Sequence, residues 1–139
     1  MIRLLIVSAE PSVRRGLLMN LTGESDLTIV GDLSGMPAAT ELATCWQPDV
    51  VVLDVDALRP AASDLTPVIK ASAHCECVVI SLWDDLTTRA RWRTAGVTIF
   101  VSKCDGIDVL LGAIRQAAHR AKNQNLSHFN SDIRRPIIA

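Results

Sequence analysis

No charge of one sign prevails in this sequence. Lys and Arg number 14 against 15 Asp and Glu, for a net charge of -1. A protein that grips a phosphate backbone needs a basic excess, so direct nucleic-acid binding is not expected. Long hydrophobic runs are also missing, and none approaches the roughly 20 residues of a membrane span. The first apolar run, Leu4 to Ser8, is too short for a signal-peptide core, and no small-residue cleavage site follows it. The expected location is therefore cytoplasmic, with no membrane contact. Glycine is sparse: its seven residues are scattered. Gly-x-Gly-x-x-Gly, Gly-x-x-x-x-Gly-Lys and Gly-x-Ser-x-Gly are all absent, and no phosphate-cradling loop follows the first strand-like run. The four cysteines (45, 75, 77 and 104) include Cys-x-Cys in His74-Cys75-Glu76-Cys77. With no second pair this lacks zinc-site spacing, and reduced core or rim thiols are expected. No internal repeat or low-complexity tract is present.

What is there is an apolar, moderately charged chain: 49% hydrophobic and 21% charged over 139 residues, enough for one domain with its own core. Five short runs are rich in Val, Ile and Leu: Leu4–Val7, Leu27–Val30, Val50–Leu53, Val78–Ile80 and Val97–Val101. Most are continuous rather than alternating, as in strands buried on both faces of a parallel sheet. Segments with helical spacing lie between them. Val13, Leu17 and Leu21 follow Pro11; Ala39, Leu42, Ala43 and Trp46 follow Pro37. Leu65, Val68 and Ile69 predict a short third helix; Asp84–Ala95 predicts a fourth that stops at Gly96. Ile107, Leu110, Leu111, Ile114 and Ala118 trace a fifth, with Asp105 as N-cap. The expected fold is α/β: a five-stranded parallel sheet of order 2-1-3-4-5 with helices on both faces, occupying residues 1–122. Residues 123–139 break the period and read as a polar tail or linker.

Function in such a sheet gathers beyond the strand ends. Ser8-Ala9-Glu10 follows the first strand, Asp54-Val55-Asp56 ends the third, Ser81 ends the fourth, and Ser102-Lys103 ends the fifth. A carboxylate, a hydroxyl and an ammonium over one edge form a set for handling a phosphoryl group. Asp54 would accept it, Lys103 would compensate its charge, and Ser81 would donate a hydrogen bond to it. The same three residues also fit a structural ion pair with a strand-end hydrogen bonder.

These residues carry a resemblance. Ile2-Arg3-Leu4-Leu5-Ile6-Val7 with Glu10-Pro11, Pro48-Asp49-Val50-Val51-Val52-Leu53-Asp54-Val55, Val78-Val79-Ile80-Ser81, Ala95-Gly96-Val97 and Phe100-Val101-Ser102-Lys103 fall in order at suitable separations. Over residues 2 to about 121 the chain resembles a response-regulator receiver domain of two-component signalling, of the type that precedes helix-turn-helix modules. The resemblance implies that Asp54 is the phosphoacceptor, Ser81 and Phe100 the switch pair, and Lys103 the site lysine. It also implies a signalling face made by the fourth helix, fifth strand and fifth helix. A sensor histidine kinase or another signalling protein is the implied partner, and the same face is a candidate homodimer surface, with Arg89, Trp92 and Arg93 as candidate interface residues.

The chain departs from the family where receivers place two adjacent acids after the first strand. Here those positions are Ser8 and Ala9. Mg²⁺ wants a near-octahedral shell of hard oxygens, which Ala9 lacks and Ser8 supplies only as a neutral hydroxyl. Glu10 and Asp56 are the candidates for metal rescue; otherwise no cofactor is expected. The leading expectation is an atypical, non-enzymatic receiver with weak or no Mg²⁺-dependent phosphorylation, in which Asp54 largely faces Lys103 alone. A conventional phospho-accepting regulator is the first alternative. A flavodoxin-like flavin- or nucleotide-binding enzyme is the second, and the missing glycine motifs count against it.

Overall fold

The computed structural model describes residues 1–38, 41–58, 75–97 and 99–133. Five strands form one parallel sheet: β1 (Ile2–Val7), β2 (Leu27–Leu33), β3 (Val50–Asp54), β4 (Glu76–Ser81) and β5 (Ile99–Ser102). Their order is β2-β1-β3-β4-β5, as the run pattern predicts. The described helices are α1 (Pro11–Leu21), the short α2 (Val55–Leu58), α3 (Leu86–Thr94) and α4 (Ile107–Ile133). The third helix expected around Leu65, Val68 and Ile69 lies outside the described residues.

Alternate residues of each strand supply two core layers, because successive side chains leave a strand on opposite faces. Leu4, Ile6, Val50, Val52, Val78, Ile80, Ile99 and Val101 pack with Leu21 of α1 and with Leu110, Leu111, Ile114 and Ala117 of α4. Leu5, Val7, Val51, Leu53, Cys77 and Val79 pack with Leu42, Trp92, Ala95 and Val97. Every residue of β3 is buried, which explains the unbroken Val-Val-Val-Leu-Asp run.

Helix ends follow local chemistry. Proline opens α1, where its missing N–H is not needed. The Asp85 side chain caps α3 by accepting the Thr88 N–H at 3.1 Å. Gly96, just beyond that helix, takes φ 104°, a value glycine adopts without strain. Between β2 and β3 the chain makes a π-type turn over Leu42–Trp46, closed by the Gln47 N–H on the Leu42 carbonyl at 2.8 Å. The register between β1 and β2 shifts after Leu4, so Leu5 pairs with Gly31 rather than Val30. Trp46 lies over that glycine: a Cβ there would stand 2.5 Å from the indole Cζ3.

Residues 123–133, expected as a polar tail or linker, continue α4 as helix to Ile133. Trp92, a candidate interface residue, is instead 3% exposed and belongs to the core beneath α3.

Candidate functional site

The C-terminal ends of β1, β3, β4 and β5 bring together Ser8, Asp54, Asp56, Ser81 and Lys103. Asp54, the last residue of β3, has no exposed surface. Its Oδ1 lies 2.7 Å from Lys103 Nζ and accepts the Asp56 N–H at 3.1 Å. Its Oδ2 accepts the Ser8 hydroxyl at 2.8 Å. Position 8, where the resemblance leads one to expect an acid, therefore holds a buried hydrogen-bond donor to the central carboxylate. Ser8 is itself fixed: its carbonyl accepts from Arg14 Nη1 at 2.6 Å, and its hydroxyl oxygen accepts the Glu10 N–H at 3.2 Å. Ala9 and Glu10 are exposed, with Glu10 at the N-cap of α1.

Asp56, the second residue of α2, reaches across to the ends of the fourth and fifth strands. Ser81 Oγ donates to its Oδ1 at 2.5 Å, and the Leu82 N–H donates to its Oδ2 at 2.7 Å. Lys103 Nζ lies 3.1 Å from the same Oδ2. The expectation that Asp54 largely faces Lys103 alone is thus corrected: one ammonium serves two carboxylates, and Ser8 adds a donor. Burial pushes the Asp56 carboxyl up, but hydrogen bonds from Ser81, Leu82 and Lys103 outweigh it and hold the group below the ordinary carboxylate value. Burial likewise pulls the Lys103 ammonium down, while Asp54 and Asp56 bring it above the ordinary lysine value.

Backbone pairing sets Lys103 in place. Its N–H bonds the Ser81 carbonyl at 2.8 Å, extending the β4–β5 ladder by one step. The following turn is held by the Asp105 carboxylate on the Ser102 N–H at 3.2 Å and by the Asp105 N–H on the Ser102 carbonyl at 3.0 Å. Phe100 is half-buried on β5, with the Arg89 guanidinium 5.0 Å from its ring centre. Arg89 also pairs with Asp84. Arg89, Trp92, Arg93, Phe100 and Gln116 line a cleft of about 190 Å³ between α3, β5 and α4. Leu82, Trp83 and Leu86, just past Ser81, are exposed.

Sequence reasoning missed the reach of Asp56 to Ser81 and Leu82, and the hold of Arg14 on Ser8. The Asp-x-Asp spacing after β3 was the available signal for the first; nothing in the local pattern signals the second. Among the described residues no three His, Cys, Asp or Glu side chains gather as metal ligands. Cys45 and Cys104 are exposed free thiols, whereas burial pushes the Cys75 thiol up to about 12 and raises that of Cys77 as well. No described helix is long and apolar enough to cross a membrane.

The chain is a domain of the receiver fold, the flavodoxin-like arrangement of response-regulator receiver domains. The signal receiver domain of NarL from Mycobacterium tuberculosis superposes with a TM-score of 0.71 at 20% identity, covering 85% of this chain and 96% of that one. The response regulator domain of Thermotoga maritima CheB gives 0.70 at 22%, covering 86% and 97%. In sequence, the chain is similar to the transcriptional regulatory protein PdtaR of Mycobacterium tuberculosis, with 30% identity over 118 residues, or 85% of this chain and 57% of that protein. It is also similar to KdpE of the same organism, with 28% identity over 118 residues, or 84% and 50%. The chain thus spans about half the length of the curated relatives it matches. No family model matches it.

Proposed function

We propose that this chain is a receiver module of two-component phosphorelay signalling that acts through protein–protein contact, with weak or no Mg²⁺-dependent phosphorylation. The observation that carries this reading is the Lys103 ammonium seated between Asp54 and Asp56, 2.7 and 3.1 Å from their oxygens. The family implies a Mg²⁺ beside the acceptor aspartate, and the residues here do not fit it. Ala9 has no side-chain oxygen, the Ser8 proton is committed to Asp54, and both Asp56 oxygens already accept hydrogen bonds. Glu10 stands exposed at the start of α1. With no dication, charge developing on a transferred phosphoryl group is left to Lys103 alone.

In this reading Asp54 is the acceptor position, Lys103 the residue that neutralises it, and Ser81 and Phe100 the switch pair. The face of α3, β5 and α4 meets the partner, a sensor histidine kinase or another signalling protein in the cytoplasm, or a second copy of the chain. Arg89 and Arg93 border that face, while Trp92 supports it from below. The similarity to transcriptional regulators supports a signalling role, with nucleic-acid contact made by other domains. Residues 1–122 form the receiver-like unit, and residues 123–139 a polar tail or linker, helical as far as Ile133. Incubation with Mg²⁺ and acetyl phosphate tests the reading by intact mass. The expected result is little or no phosphoryl increment; a stoichiometric increment that vanishes in Asp54→Asn would overturn it and favour a conventional acceptor.

A further inference from the structure

Three donors from separate parts of the chain converge on the Asp56 carboxylate. Ser81 Oγ comes from the tip of β4, the Leu82 N–H from the residue after it, and Lys103 Nζ from beyond β5. Their distances to Asp56 oxygens are 2.5, 2.7 and 3.1 Å. A hydroxyl, a backbone amide and an ammonium aimed at one point make an oxyanion site, the same combination that recognises phosphate oxygens. Here a carboxylate of the chain itself occupies it, with its side chain 17% exposed. The arrangement is committed rather than incidental. Ser81 Oγ accepts the Trp83 N–H at 3.0 Å while giving its single proton to Asp56. No buried side-chain nitrogen or oxygen among the described residues lacks a hydrogen-bond partner.

The position of this carboxylate is what matters. Lys103 Nζ touches Asp54 and Asp56 together, so a phosphoryl group on Asp54 that sought the same ammonium and the Ser81 hydroxyl would have to displace Asp56. We propose that Asp56 is an internal ligand: its carboxylate fills an oxyanion site formed by Ser81 Oγ, Leu82 N–H and Lys103 Nζ. It thereby holds Ser81 and the Leu82–Trp83 segment in an anion-engaged arrangement without phosphoryl transfer. This deepens the functional reading above and rests on it. Removing the carboxylate opens the site to a free tetrahedral oxyanion.

The test follows the Leu82 and Trp83 amide resonances of the ¹⁵N-labelled full chain during titration with inorganic phosphate. Wild type is compared with Asp56→Ala and with the isosteric Asp56→Asn, which serves if the alanine variant does not fold. In Asp56→Ala the Leu82 amide loses its acceptor, and in Asp56→Asn a neutral carboxamide oxygen accepts more weakly, so its resonance moves and its hydrogen exchange quickens. Phosphate then shifts it saturably, with affinity at least about tenfold above wild type. Adding Ser81→Ala to the variant abolishes that gain. The proposal is overturned if wild type takes phosphate at Leu82 as well as the variants do. It is equally overturned if the Leu82 amide and phosphate affinity are unchanged in both variants. Labelling of wild-type Asp54 by acetyl phosphate would remove the functional reading alone; the titration decides the internal ligand separately.

Discussion

Two clusters in this chain share one charge composition, a single cation facing two carboxylates. Lys103 sits with Asp54 and Asp56, and Arg115 sits with Asp26 and Glu24 at 2.9 and 3.1 Å. Their surroundings differ. The first trio has side chains 15%, 0% and 17% exposed; the second has 46%, 43% and 36%. Water and salt screen the second cluster, and its long side chains lose entropy on pairing, so it contributes little. The first is shielded, and its members also hold Ser8, Ser81 and backbone amides. Counting charges along the sequence does not separate the two clusters; position relative to the strand ends does.

The sharpest way to break the comparison is to remove each cation. Lys103→Met leaves the fully buried Asp54 without its countercharge, and urea unfolding is expected to show a loss of about 3–5 kcal/mol. Ser8→Ala keeps the ion pair and deletes one hydrogen bond to Asp54. The same measurement should give about 1.5–3 kcal/mol, the usual range for a hydrogen bond to a charged group. A loss as large as that of Lys103→Met would show that Ser8, not the lysine, holds the carboxylate.

Acid sharpens the contrast through Asp56. Its folded-state pKa lies below the ordinary 3.8, so its stabilisation is present above that value and fades as pH falls through the folded one. The stability difference between wild type and Asp56→Asn should therefore hold steady from neutral pH to mildly acid conditions and shrink only below 3.8. Lys103 behaves in the opposite sense. Its folded pKa lies above 10.5, so its contribution is complete below that value and is lost as pH rises through the folded one. The smallest effect belongs to Arg115→Met, whose unfolding midpoint in high salt should match wild type. A clear shift there would mean that the exposed trio also positions α4 against the loop before β2.

The strands were readable because burial on both faces demands continuous Val, Ile and Leu, and strand order follows from right-handed crossovers. Asp54, Ser81 and Lys103 were readable for a related reason: each ends or follows a strand whose register is fixed by that burial. Asp56 was not readable in the same way. It lies beyond β3 in α2, and its partners are set by how that helix start faces the end of β4. The extension of α4 beyond residue 122 was obscured because Asn123, Gln124 and Asn125 interrupt the apolar stripe, which resumes at helical spacing with Leu126, Phe129 and Ile133. The burial of Trp92 was harder to read, because Arg89, Arg91 and Arg93 surround it in sequence, whereas Trp92 alone of that group turns into the core.

Magnesium titration of the wild-type chain, followed at the amides of Ser8, Asp54 and Asp56, tests the central claim most directly. With Lys103 between the two carboxylates and an alanine at position 9, no saturable shift is expected at millimolar ion. Saturable binding at millimolar concentration or below, centred on Asp54 and Asp56, would contradict it.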